Sequence, residues 1–176
     1  MKQSKEYVVP FRGLKLGKHQ FKYVVEKAFF ETYQYDDFID SNVEVLLDFN
    51  KQGTIFELLF TIDGTVLLNC DVSGEEYNQP VKGTLNLLVK FGDEYNYDNE
   101  DILIIPQNED ELDVSQFIYE LIILSVPVKR IHPGVLDGTL KSKALDKLRE
   151  MKEKVKEKTI DPRWDKLKEL IKDKNT

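Results

Sequence analysis

The chain has 176 residues, 41% hydrophobic and 32% charged, enough for one ordinary folded domain with a real core and an appendage. The opening MKQSKEYVVPF lacks the apolar stretch of a secretory signal, no run reaches the roughly 18–20 apolar residues of a membrane helix, and a single cysteine excludes an internal disulfide. Net charge is −7, spread unevenly: residues 1–35 carry 7 Lys/Arg against 3 Asp/Glu, residues 36–138 carry 5 against 21, and residues 139–176 carry 13 against 8.

The expectation is a cytoplasmic protein with no membrane partner. An acidic middle (−16) between basic ends (+4 and +5) suggests steering toward a partner, with the ends suited to nucleic acid. The same distribution equally describes an acidic body whose lysines keep its helices solvated.

From the N-terminus, HQFKYVV reads as a strand through Phe21, Tyr23 and Val25. NVEVLLDF alternates Val43, Val45, Leu47 and Phe49 onto one face; TIFELLFTI alternates Phe56, Leu58, Phe60 and Ile62. TVLLNCDV does the same with Val66, Leu68, Cys70 and Val72, and TLNLLVKF with Leu85, Leu87, Val89 and Phe91. Period-two patterning marks strands half buried against a core. Asp63-Gly64 predicts a type I′ hairpin turn between two of these runs, and Lys51-Gln52-Gly53 a longer hairpin loop. The acidic DEYNYDNED (Asp93 to Asp101) lacks the sixth-position glycine and twelfth-position glutamate of a calcium loop, so it reads as a solvated hairpin loop. ILIIP, Ile102 to Pro106, is a further strand. A helix follows near 114–125, capped by Asp113 or Ser115 and bounded by Pro127, apolar nearly all round and expected deep against the sheet. The fold class is therefore α+β: an antiparallel, curved or barrel-like sheet with one buried helix and a C-terminal helical arm. The division is residues 1–138 for the β domain and 139–176 for the basic arm.

In that arm Leu140, Ala144, Leu148, Met151 and Val155 form a narrow helical stripe, too thin to gain much from burial. TIDPRWDKLKEL then restarts a helix, with Asp161 as N-cap, Pro162 at the first helical position and Trp164, Leu167 and Ile171 on one face. Trp164 either docks on the protein's own sheet or meets a partner, with Arg163 beside it able to stack or pair with phosphate.

Catalytic patterns are missing. Two histidines, His19 and His132, and one cysteine cannot make a four-ligand zinc site within one chain. Cys70 falls on an apolar strand face and reads as buried and inert, and no G-x-S-x-G, phosphate-binding or dinucleotide-binding loop occurs. No enzyme activity, cofactor or metal is expected. The stretch VPVKRIHP gathers Lys129, Arg130 and His132 between two prolines. It either complements the dipole at the end of the preceding helix or contacts an anion such as an RNA backbone.

LNCD at Leu68 to Asp71, the LVKFG strand, LSVPVKRIHP and the terminal DPRWDKLKEL, in this order, resemble the YceD-like proteins, or large ribosomal RNA subunit accumulation proteins, most closely their Bacteroidetes-type branch. The resemblance implies a cytoplasmic, non-catalytic protein needed for accumulation or maturation of large-subunit ribosomal RNA. Many members carry a Cys-x-x-Cys at the strand end and further cysteines before Asp-Pro-Arg. Here Cys70 matches the first position, Ser73 stands at its partner and the later cysteines are absent, so no such metal clip can form. Pro127, His132, Asp161, Pro162 and Arg163 match and carry over as a candidate contact surface. The expected function is thus a non-catalytic ribosome biogenesis factor touching ribosomal RNA or a large-subunit precursor through Lys129, Arg130, His132, Arg163, Trp164 and Lys166. The alternative is an acidic adaptor for a basic partner such as a ribosomal protein.

Overall fold

The computed structural model describes residues 5–99 and 101–157. The alternating runs build six strands, β2 (Gly17–Glu26), β3 (Asp40–Lys51), β4 (Ile55–Asn69), β5 (Glu76–Gly92), β6 (Asn96–Asn99) and β7 (Ile102–Pro106). They form one sheet in the order β2-β3-β4-β5-β7-β6. All neighbours are antiparallel except β5 and β7, which run parallel. A two-residue pair, β1 (Val8–Val9) with β8 (Leu112–Asp113), stands apart from it. The α+β class with a largely antiparallel sheet holds. The sheet is open, ending on β2 and β6, and does not close into a barrel.

Apolar residues of the predicted phase line one face. Val43, Leu47 and Phe60 are fully excluded from solvent, as are Val66, Val89 and Ile105. On this face lies α2 (Ser115–Ser125), burying Ile118, Leu121 and Ile122, each worth roughly 1.5–3 kcal/mol by transfer. Gly83 of β5 permits the approach: a Cβ there would stand 3.2 Å from Leu121 Cδ1 and closer still to Ser125 Oγ. Neither candidate is the N-cap, which is Val114 without a side-chain bond; Asp113, one residue before it, has its Oδ1 accepting from the Ser115 N–H at 2.8 Å. The Ser115 hydroxyl instead accepts from Tyr33. The helix is not buried all round. Leu124 is 82% exposed, because a helix lying on a single sheet face can bury only the side turned toward it.

Three further sequence readings are corrected. Asp63-Gly64 makes no turn: β4 runs unbroken through both, with Val43 and Val81 flanking Gly64. Part of the acidic DEYNYDNED is the edge strand β6, paired with β7 across a register irregularity. In the arm, α4 (Lys143–Glu157) starts after Leu140, and among its residues up to Met151 the buried one is Leu145, while Ala144, Leu148 and Met151 are exposed. A stripe phased from Leu140 starts on a residue outside the helix. The predicted loop at Lys51-Gln52-Gly53 does connect β3 to β4, closed by the Gln52 N–H donating to Ile55 O at 3.0 Å.

One element went unread in the sequence. KAFFET forms α1 (Lys27–Thr32), whose Phe29 and Phe30 are buried. Phe30 meets Phe38 edge-on at 4.9 Å, and Tyr33 stacks on Tyr119 of α2 at 4.3 Å.

Two compact units result. One comprises residues to Cys70 with Glu75–Arg130 and holds the sheet, α1 and α2; the other comprises Asp71–Gly74 and residues from Ile131 on. The second contains a short helix, α3 (Pro133–Leu136), and then α4, whose N-cap Ser142 accepts from the Leu145 N–H at 3.3 Å.

Candidate functional site

The chain leaves α2 in extended backbone at Val126, immediately before Pro127, which restricts that residue sterically. Lys129 then stands exposed. Arg130 is held: its Nη2 lies 2.9 Å from Asp37 Oδ2, with the Arg side chain 30% exposed. Asp37 also accepts from the Tyr35 hydroxyl at 3.3 Å. Tyr35 packs edge-on against Phe38 and Tyr119, and its hydroxyl is pushed up in pKa, first by burial and then by the Asp37 charge. Arg130 thus closes an aromatic cluster by pairing with an acid 93 positions away. A partly exposed pair of this kind is worth little, about 0–1 kcal/mol.

His132 has a structural partner too. It is the N-cap of α3, its Nδ1 accepting from the Gly134 N–H at 2.8 Å, with Pro133 at the first helical position. The proton of this tautomer therefore sits on Nε2. A Cβ on Gly134 would stand 3.0 Å from both His132 Nδ1 and Leu140 Cβ, while the Leu140 N–H donates to Gly134 O at 2.8 Å. The turn is completed by Asp137, whose Oδ1 accepts from both the N–H and the hydroxyl of Thr139. Those bonds hold its carboxyl below the usual range.

The cations at and just before the start of α4 are placed differently. Lys141, Lys143, Lys147 and Arg149 are all exposed. The ion pairs among the described residues join Arg12 to Asp110, Lys82 to Asp63 and Arg130 to Asp37, so none involves the arm. Arg163, Trp164 and Lys166, with Asp161 and Pro162, lie outside the described residues.

Cys70 is buried at the end of the inward row of β4, and Ser73, where the wider pattern has a second cysteine, is buried as well. Among the described residues no group of three or more His, Cys, Asp or Glu could hold a metal ion, and no helix is long and apolar enough to cross a membrane.

Sequence reading also missed the outward face of the sheet. Its signal was four leucine doublets: Leu46-Leu47, Leu58-Leu59, Leu67-Leu68 and Leu87-Leu88. In a strand, one residue of every such doublet must point away from the core.

No curated protein and no solved structure matches the chain. A family model described as "Large ribosomal RNA subunit accumulation protein YceD" matches residues 58–171, from near the start of strand β4 through α2, Arg130, His132 and α4. Because that span exceeds half of the chain and takes in most elements of both units, the protein belongs to the YceD family of large ribosomal RNA subunit accumulation proteins.

Proposed function

We propose that the protein is a non-catalytic factor that supports accumulation of large-subunit ribosomal RNA by binding the RNA, or a precursor particle, through its basic arm. The carrying observation is the set of exposed cations on α4, Lys143, Lys147 and Arg149, preceded by Lys141, in a chain whose net charge is −7. They lie within the family match, and none joins an ion pair among the described residues. Lys143 and Lys147, four apart on the helix, have side chains about 5–6 Å from one another, close to the spacing of successive phosphates on one RNA strand. Lys129 adds a further exposed cation, and Arg163, Trp164 and Lys166 extend the basic sequence beyond α4.

A role without catalysis is supported by what the reactive side chains do. The cysteine is buried, His132 Nδ1 is spent on a helix cap, and His19 Nε2 lies 2.8 Å from Lys15 O. On this reading the protein works in the cytoplasm, where its RNA is assembled. The test is sedimentation of cell extract: the protein co-migrates with large-subunit precursors at low salt and leaves them as salt rises, in proportion to the phosphates it contacts. A protein that stays at the top of the gradient at low salt, with or without Lys147→Glu/Arg149→Glu, ends this reading.

A further inference from the structure

Three outward leucines of the sheet, Leu46, Leu59 and Leu88, lie in a regular line with Val24 and Ile104. Val24 of β2 pairs with Glu44, and Leu46 lies two residues along β3. Leu46 pairs with Thr61, and Leu59 lies two along β4. Leu59 pairs with Asn86, and Leu88 lies two along β5. Leu88 pairs with Ile102, and Ile104 lies two along β7. Each step moves one strand across and two residues along, about 8 Å, so five apolar side chains form a diagonal band about 33 Å long. Val24 is 54% exposed and Leu59 36%. The helix α2 lies on the opposite face of the sheet, and Leu46, Leu88 and Ile104 are partly exposed.

The band is flanked asymmetrically. Glu44, Asp48 and Glu57 border its centre, while Lys22 and Lys90 stand toward its ends. A concavity of about 790 Å³ opens at its middle, lined by Leu59 and Leu88 together with the carboxylates of Asp48, Glu57 and Asp101 and one ammonium, Lys18. Two of the carboxylates are fixed in place: the Gln20 amide donates to Asp48 Oδ1 and the Asn50 amide to Glu57 Oε2, each at 2.8 Å. Neither acid joins an ion pair among the described residues. Three acids against one base exclude a phosphate backbone or an anionic membrane from this concavity and favour a cation-bearing ligand.

We propose that this diagonal band is a docking surface for a basic amphipathic helix of another protein. Its apolar side chains would lie along Val24, Leu46, Leu59 and Leu88, and its Lys or Arg residues would meet Asp48 and Glu57. A helix of roughly 20 residues spans the band. Amides that hold both acids before binding reduce the ordering cost of the encounter. This surface shares no residue with the arm proposed to meet RNA, and shares with that reading only action by contact.

The test uses the full chain and two labelled synthetic helices of roughly 20 residues, one of Leu and Lys, the other of Leu and Glu, followed by fluorescence anisotropy. The Leu/Lys helix should bind at least about tenfold more tightly than its acidic counterpart, and Leu59→Ser and Asp48→Lys should each weaken it about tenfold. Val24→Ser, on an edge strand, carries the same test should Leu59→Ser fail a thermal-melting check of folding. Equal affinity for the two helices, or wild-type affinity in these variants, overturns the proposal. So does a Leu59-dependent dimer in sedimentation that the Leu/Lys helix cannot displace, or an RNA fragment whose binding Leu59→Ser abolishes. Lys147→Glu/Arg149→Glu should weaken RNA binding and leave peptide affinity unchanged; in the unmutated chain, failure to bind RNA alone sinks the arm's role, and failure to bind the Leu/Lys helix alone sinks this one.

Discussion

Gly64 on β4 lies opposite Val43 on β3 so closely that a Cβ built on it would stand 2.6 Å from Val43 Cα, and nearer still to Asn42 O. The obstacle is backbone of the adjoining interior strand β3, which no rotamer change can relieve. Gly64→Ala should therefore destabilise the protein by about 2 kcal/mol or more, where an unobstructed strand position would favour Ala over Gly by roughly 0.5–1 kcal/mol. Urea unfolding measures the difference. A Gly64→Ala protein as stable as the parent would show that β3 and β4 are not this close.

Tyr23 points its hydroxyl into the interior with no hydrogen-bond partner among the described residues, and burial raises its pKa from 10.0 to about 12. Leaving a buried donor unmet costs about 1–3 kcal/mol, so Tyr23→Phe should be neutral or stabilise by up to about 1 kcal/mol. Tyr7→Phe, which gives up a bond to Val24 O at 3.3 Å, should not stabilise. Chemical denaturation of the two variants side by side decides it.

Alkaline pH should act through the same two residues. Tyr7 is also raised to about 12, by burial first and then by Glu6 and Glu26. In the unfolded chain both phenols ionise near 10, and in the folded protein they keep their protons, so between these values the native state binds more protons and stability falls as pH rises. Their contribution is whole below pH 10 and is lost as pH climbs through about 12. Phenolate absorbance should show Tyr7 and Tyr23 titrating last, with Tyr33 and Tyr35 also raised by burial, and one fewer late phenol in Tyr23→Phe. Simultaneous titration of all the tyrosines near pH 10 in folded protein would contradict this burial.

His132 separates a cap from a contact. As the N-cap of α3 it should tolerate Asn, whose side-chain oxygen can accept from the Gly134 N–H, while His132→Ala should cost about 0.5–2 kcal/mol. If RNA or a partner instead reads the imidazole, His132→Asn will impair retention on precursors with stability unchanged.

Arm charges should reveal themselves in salt dependence. Lys147→Glu/Arg149→Glu should flatten the slope of log affinity against log salt for RNA by about two phosphate contacts, with no change in thermal stability beyond about 0.5 kcal/mol. An unchanged slope would mean that these two side chains face no phosphate.

Much of the sheet was readable before any coordinates. Apolar parity assigned the inward row of β3 from Val43 to Phe49, of β4 from Phe56 to Leu68 and of the second half of β5, since side chains must alternate across a pleated strand; the inward Tyr77 and Val81 of β5 went unassigned. The same parity spoke against a turn at Asp63-Gly64. A two-residue hairpin would put Ile62 and residue 65 on one face, whereas the apolar phase continues at Val66 and Leu68. The dipeptide was a local preference, and burial of a continuous row outweighed it. The outward leucine of each doublet was equally visible, though the alignment of those leucines was not.

That alignment depends on strand register, and register is set between segments far apart in the chain. Composition and alternation were enough to establish an acidic β body followed by a cationic helical stretch, because charge and side-chain parity are local properties. The parallel pairing of β5 with β7, the ion pair of Arg130 with Asp37 and the diagonal from Val24 to Ile104 came only with the folded arrangement. Each relates residues whose proximity is created by packing, and no periodicity within a single segment encodes it.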